Sequence, residues 1–246
     1  MMKKGHIRMF LVMITIAASV VLFLKYSQDQ KVKERVYYAG IGSRYYPYEY
    51  EQNGELKGFS YELFNEIAKR VGLKIKWEHI PFRNLVSSIE DGKLDIGAAT
   101  VGIRDEFNRK VKYTTPYLTT TSVVLGLKGD VHEEHGVYGV IQGRIHEKYA
   151  NEIEGATVVT YKDIDLIAKD LENRTINYGI MNRNVAKTLL DNYPNIEILK
   201  EIKTEENGFI FSNIFSEKLL KKFNKELEKA KSDGTVDNLK KKYGIE

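Results

Sequence analysis

Apolar positions along this chain change period repeatedly, stepping by three and four residues, then alternating, then stepping again. Leu63, Phe64, Ile67, Ala68 and Val71 recur at helical spacing before Gly72, which predicts a helix with one buried stripe, started by Ser60 as N-cap and stopped by the glycine. Leu73, Ile75 and Trp77 then alternate with Lys74, Lys76 and Glu78, the signature of a strand with one buried face. A second helix is expected over Asn84–Asp91, carrying Leu85, Val86 and Ile89, with a strand through Leu94, Ile96 and Ala98 after Gly92. Strand, helix, strand in this order implies a right-handed parallel crossover.

The same grammar returns further on. Strands are predicted at Val137–Ile141, Ala156–Tyr161, Tyr178–Met181 and Ile196–Leu199, interleaved with helices at Ile145–Ala150, Ile164–Leu171 and Val185–Leu190. Gly208–Ser212 reads as a returning strand, after which Ser216 caps a long helix bearing Leu219, Leu220, Phe223, Leu227 and Ala230. Gly234 stops that helix, and Val236, Leu239 and Tyr243 mark a last short one. Alternation of strands and helices over some two hundred residues gives an α/β class, with length enough for one large or two small cores.

The N-terminus obeys different physics. Lys3, Lys4 and Arg8 precede sixteen uncharged, mostly apolar residues from Met9 to Leu24, and Lys25 closes the run. This length lies between a signal-peptide core and a short membrane span. No small-x-small cleavage site follows, since the run ends in Leu24, Lys25, Tyr26, Ser27 and Gln28, so an uncleaved anchor is expected ahead of a cleaved signal. The flanking charges place the N-terminus in the cytoplasm and the rest outside. The absence of cysteine excludes a lipidated Cys anchor and agrees with export. The net charge of +4 is concentrated here, because residues 1–33 hold six Lys/Arg and one Asp. The remainder is close to neutral, which argues against a nucleic-acid partner.

Several segments resemble one family. Gly58-Phe59 opens a helix, Gly92-Lys93-Leu94-Asp95 turns into a strand, and Tyr113-Thr114-Thr115-Pro116-Tyr117 resembles an aromatic-Ser/Thr-x-Pro-Tyr segment. Val140-Ile141-Gln142-Gly143, Asn177-Tyr178-Gly179-Ile180-Met181-Asn182 and Ser232-Asp233-Gly234-Thr235 follow in order. Over roughly residues 36 to 243 the chain is similar to the family 3 extracellular solute-binding proteins of polar amino acid ABC transporters. The resemblance implies a two-lobed type II periplasmic-binding-protein fold, each lobe a mixed sheet flanked by helices, here with an N-terminal membrane helix. Expected boundaries are 1–25 for the signal or anchor, 26–34 for a linker, 35–126 for the first lobe, 127–205 for the second, and 206–246 for the return and C-terminal helices. Two crossings, near Ser122–Lys128 and Ile202–Ser212, are expected to form the hinge.

The resemblance also implies a pocket between the lobes. Tyr45 and Tyr48 match aromatic positions of its first loop, Tyr45 as a stacking ring. Phe59 and Ser60 lie at the next helix mouth, where the family's Gly-Phe-Asp has become Gly-Phe-Ser. Thr100 matches a hydroxyl that binds the solute carboxylate. The family's carboxylate-binding Arg is replaced by Phe107, so Arg104, one turn earlier, is the candidate, with Arg109 a weaker one. Gln142 and Arg144 stand at the second-lobe turn, and an Arg at that helix N-terminus is electrostatically unfavourable unless an anion is near. The ammonium-pairing Asp is here Asn182, which weakens that contact because a charge-assisted bond becomes neutral. A solute of carboxylate or other anionic character, with less need for an ammonium group, is therefore expected.

DVHEEH at Asp130–His135 lacks the spacing of a metal site, and acid pairs such as Glu205-Glu206 read as surface charge. No phosphate loop, nucleophile elbow or thiol is present, so no catalytic residues, metal or cofactor are expected. The expected activity is solute capture by cleft closure, as a monomer, for an ABC permease, with the membrane as a further partner through the N-terminal helix. A tethered ligand-sensing ectodomain is the alternative.

Overall fold

The computed structural model describes residues 13–24, 26–27, 35–42, 44–107 and 109–245. Residues 13–24 form a helix (α1) whose side chains are exposed. No helix among the described residues is long and apolar enough to cross a membrane. Lys3, Lys4, Arg8, Lys25 and most of the expected 26–34 linker lie outside the described residues.

The first half is built on β1 (Val36–Ile41), held in parallel between β5 (Lys74–His79) and β6 (Ile96–Gly102). Its two faces are covered by different helices. On one, α2 (Phe59–Val71), α7 (Glu217–Ser232) and α8 (Thr235–Tyr243) gather Phe64, Phe209, Phe211 and Phe223. On the other, α3 (Leu85–Glu90) packs Leu85 and Ile89 against Val101 and Ile210. Phe209 and Phe211 on one face and Ile210 on the other show the two-residue period of a strand buried on both sides.

The second half repeats the plan. Parallel β9 (Gly136–Ile141), β10 (Ala156–Tyr161) and β11 (Tyr178–Asn182) are covered by α5 (Ile164–Glu172) and α6 (Arg183–Leu190) on one side. α4 (Ile145–Asn151) lies on the other, where Ala150 joins Tyr138, Val140 and Ile180.

The expected strands at Ile196–Leu199 and Gly208–Ser212 are one continuous strand, β12 (Ile196–Ser212), which pairs antiparallel with β8 (Leu118–Leu127). The pairing runs from Ile196 opposite Leu127 to Asn207 opposite Leu118, with register shifts between Ile198 and Lys200 and between Glu201 and Lys203. The polar segment 200–206 hides the strand from a reading of apolar periodicity, because a two-stranded bridge buries little on either face. Through this ribbon the sheets of the two halves become one hydrogen-bonded path, β10-β9-β11-β8-β12-β6-β1-β5, instead of two separate sheets; β7 (Val111–Tyr113) pairs with β12 off that path.

A small antiparallel sheet, β2 (Arg44–Tyr45), β3 (Glu49–Gln52) and β4 (Glu55–Lys57), brings the tyrosine-rich loop onto the mouth of α2. Ser60 is not the cap of α2 but its second residue. The helix is capped at Gly58, and the Phe59 and Ser60 N–H groups donate to the carbonyls of Pro47 and Tyr48 at 3.0 and 2.9 Å. Backbone acceptors from the loop thus replace the side-chain cap. Gly58 has φ +118°, and a Cβ there would fall 2.3 Å from the Tyr48 carbonyl oxygen, so only glycine allows this approach.

Candidate functional site

The halves meet across a cleft floored by the β8–β12 ribbon. From the first half come Tyr45 and Tyr48, Glu49 at the head of β3, Phe82 in the 3-10 turn Phe82–Asn84, Thr100 in β6 and Arg104 just after it. The second half supplies Gln142 and Arg144 from the β9–α4 turn, His146 from α4 and Asn182 from the end of β11.

Arg144 crosses the cleft. Its Nη2 donates to Glu49 Oε1 at 2.8 Å and its Nη1 to the Thr100 carbonyl at 3.3 Å. The guanidinium carbon stands 3.2 Å from the centre of the Tyr45 ring and 4.0 Å from that of Phe82, a cation over two aromatic faces. Both members of the ion pair are buried, with side-chain exposure of 6% for Arg144 and 0% for Glu49. Thr100 completes the carboxylate, its hydroxyl and N–H donating to Glu49 Oε2 at 2.9 and 3.2 Å. Burial pushes the Glu49 carboxyl above its usual range, and Arg144 and Thr100 pull it back in part. The anion that a helix-terminal Arg144 calls for is therefore the protein's own glutamate. Removing one member of such a pair typically costs about 3–5 kcal/mol.

Deeper in, a cavity of about 20 Å³ is lined by Arg104, Arg144, His146, Thr120, Glu205 and Asn207, among others. The buried Nε atoms of Arg104 and Arg144 and Nε2 of His146 have no hydrogen-bond partner within the protein. Glu205 accepts from Tyr149 Oη at 2.7 Å and from the Ser122 and Thr120 hydroxyls at 3.3 Å each. Burial raises the Glu205 carboxyl, with those hydroxyls and Arg104 acting against the rise. Burial, Arg144 and Arg104 together hold His146 at about 3, so it is neutral at physiological pH. Arg104 Nη2 donates across the cleft to the Gly143 carbonyl at 3.4 Å, and its guanidinium carbon sits 4.1 Å above the centre of the Phe107 ring. Phe107, at the position where the resemblance expects an arginine, is thus the platform under Arg104.

Wider cavities of about 420 and 380 Å³ open on either side of Phe82 and Arg144, which line both. Gln142 borders the second and accepts from Arg83 Nη1 at 3.2 Å. Tyr48 is wholly buried and stacks on Tyr45 with ring centres 5.9 Å apart. Its hydroxyl donates to Asn182 Oδ1 at 2.8 Å, and the same oxygen accepts the Asn184 N–H as the N-cap of α6. Asn182 thus serves its helix and Tyr48. Ser60 shares hydrogen bonds with Thr100 and Tyr117 at 2.8 and 3.1 Å, behind the cleft wall. Phe59 is a core residue, its ring 6.0 Å from Tyr117. Arg109 is exposed, and its carbonyl accepts from Asn213. In the DVHEEH loop, His132 bonds Tyr138 and His135 pairs with Glu133; no group of three metal-ligating side chains occurs among the described residues.

Four cleft residues carry no sequence signal that separates them from ordinary positions. Glu49 hides in the tyrosine loop, Phe82 follows Pro81, and His146 lies on a short helix. Glu205 is the clearest correction, being part of the acid pair expected on the surface. Its side chain is only 9% exposed while Glu206 is turned outward, as strand alternation requires.

Comparison with known proteins places this geometry. Residues 38–246 match the model of the bacterial extracellular solute-binding proteins, family 3. The chain is 30% identical over 217 residues to a probable histidine-binding protein of Campylobacter jejuni subsp. jejuni, covering 84% of each chain. It is 26% identical over 230 residues to the lysine/arginine/ornithine-binding periplasmic protein of Escherichia coli, covering 83% of this chain and 85% of that one. An ancestral arginine-binding protein bound to arginine superposes with a TM-score of 0.78 at 24% identity, over 85% of this chain and 97% of that chain, a likeness of fold. With the family model matched from β1 to the C-terminus, the chain belongs to the bacterial extracellular solute-binding proteins, family 3.

Proposed function

We propose that the protein captures a small α-amino acid or related carboxylate in the cleft and delivers it to an ABC permease. Arg104 receives the carboxylate, and Arg144, with Tyr45 and Phe82 packed on its guanidinium, walls the site. The observation that carries this reading is the set of buried, unpartnered N–H groups of Arg104 and Arg144 around the cleft floor. A buried donor without an acceptor is costly, and an anion supplies the acceptor with a charge-assisted bond. The names of the relatives, which bind histidine, basic amino acids or cystine, support an amino acid as the solute class.

Capture works by closure. Residues 35–126 and 206–246 act as one lobe and 127–205 as the other, turning about the β8–β12 ribbon. A solute that touches both favours the closed arrangement by its difference in affinity for the two states. The apolar α1 and the basic residues before it tether the protein to the outer face of the membrane. Calorimetric titration of the full chain with glutamate, glutamine, histidine and cystine tests the reading. Saturable binding of at least one of them, weakened in Arg104→Ala, is the expected result; the absence of heat from every one overturns it.

A further inference from the structure

We propose that Arg144 is a tethered pseudo-solute: its guanidinium fills a cation slot formed by Tyr45, Phe82, Glu49 and Thr100, and so sets the specificity of the cleft against cationic solutes.

The slot has every element that recognises a planar cation, and every element lies on the first half of the molecule. Tyr45 and Phe82 present ring faces to the guanidinium, at 3.2 and 4.0 Å from its carbon. Glu49 receives Nη2, and the Thr100 carbonyl receives Nη1. The slot is also held together without Arg144. Thr100 fixes Glu49 Oε2 by two bonds, and Tyr48 stacks behind Tyr45. Arg144 comes from the second half, inserted from the turn after β9.

This division separates occupant from receptor. Two rings this close to one guanidinium leave no room for a second planar cation on the same faces. A free alkylguanidinium or ammonium side chain must therefore displace Arg144, which is linked to the site and competes as an intramolecular ligand at high effective concentration. The buried Glu49 carboxylate also requires a positive partner, so the slot does not suit a neutral group. Arg144 thus neutralises Glu49 and leaves the cleft to solutes without a cationic side chain. Removing the Arg144 side chain converts the slot into a free receptor for a guanidinium compound.

The inference rests on reading the cleft as a solute site, but its test does not need the natural solute. Full-length wild type, Arg144→Ala and the double variant Arg144→Ala/Glu49→Gln are melted with increasing methylguanidinium, a probe with neither carboxylate nor amine. In Arg144→Ala, probe at ten times its Kd raises the melting midpoint by about 3–5 °C, or restores the native fold if the variant is unfolded without it. Wild type and the double variant show no rise. A wild type that responds as strongly as Arg144→Ala overturns the proposal. So does an Arg144→Ala that neither shifts nor refolds with the probe while the double variant folds, or a double variant that folds and responds as strongly as Arg144→Ala. If Arg144→Ala takes methylguanidinium while wild type binds no amino acid in the calorimeter, the solute reading fails and the pseudo-solute assignment stands.

Discussion

Tyr48 and Asn182, 134 residues apart in sequence, meet through a 2.8 Å hydrogen bond that ties the first half of the molecule to the second. Asn184 Nδ2 donates to the same tyrosine hydroxyl at 2.9 Å, so one phenol serves two groups on the facing half. Replacing Tyr48 by Phe keeps the ring stack on Tyr45 and removes both bonds. The expected cost is about 1–2 kcal/mol in urea unfolding, with a larger radius of gyration by solution scattering, because the lobes lose a shared contact.

Arg104 is expected to act on binding more than on folding. Its charge faces Glu106 at 3.6 Å, the Gly143 carbonyl and the buried Glu205, while its Nε has no partner. Arg104→Ala should weaken the amino acid found by calorimetry about tenfold to a hundredfold, the range for a lost hydrogen bond to a charged group. Arg104→Lys should recover part of this, since a point charge replaces a planar fork.

Acid should unfold the protein partly through His146. Its side chain is buried and its pKa lies at about 3 in the folded state, below the value of about 6.5 for a free histidine. The unfolded chain therefore takes up a proton between those two values while the folded one does not. Stability from this group is fully present above about pH 6.5 and is lost as pH falls toward 3, up to about 4–5 kcal/mol at one pKa unit per 1.36 kcal/mol. His146→Gln should flatten this limb in melting curves recorded from pH 7 to pH 4. An unchanged slope would show that other groups carry it.

Gly143 sets how closely the halves approach. It has φ +80°, and a Cβ on it would lie 2.7 Å from Arg83 Cα, a backbone atom of the opposite half. Gly143→Ala is expected to wedge the cleft open, raise the radius of gyration and reduce solute affinity. It should also lose about 1 kcal/mol of stability to the left-handed backbone, measured by urea unfolding.

Much of the fold is legible in the sequence because its signals are local. The stripe from Leu63 to Val71 and the alternation from Leu73 to Trp77 each depend on neighbours a few positions away, and both elements stand where the periods put them. Ser60 misleads because its hydroxyl turns to Thr100 and Tyr117 once the loop carbonyls have taken over the capping. The site is harder to read. Arg144 and Glu49 are 95 residues apart, and neither position shows its partner in composition or spacing. Glu205 follows the outward-facing Thr204 and precedes Glu206 in a polar run, so its burial emerges only when β12 pairs with β8 and its alternate residues turn toward the cleft.

Glu205 has a consequence beyond its own hydrogen bonds, because it belongs to the strand about which the proposed closure would turn the halves. A pivot moves least during rotation, so a solute group that touches Glu205, or His146 through it, keeps that contact whether the jaws are apart or together. Such contacts deepen both states equally and tighten holding without favouring shutting. In the proposed closure, the free energy that shuts the jaws comes from contacts that span them, among them Arg144 on Glu49, Tyr48 on Asn182 and Arg83 on Gln142.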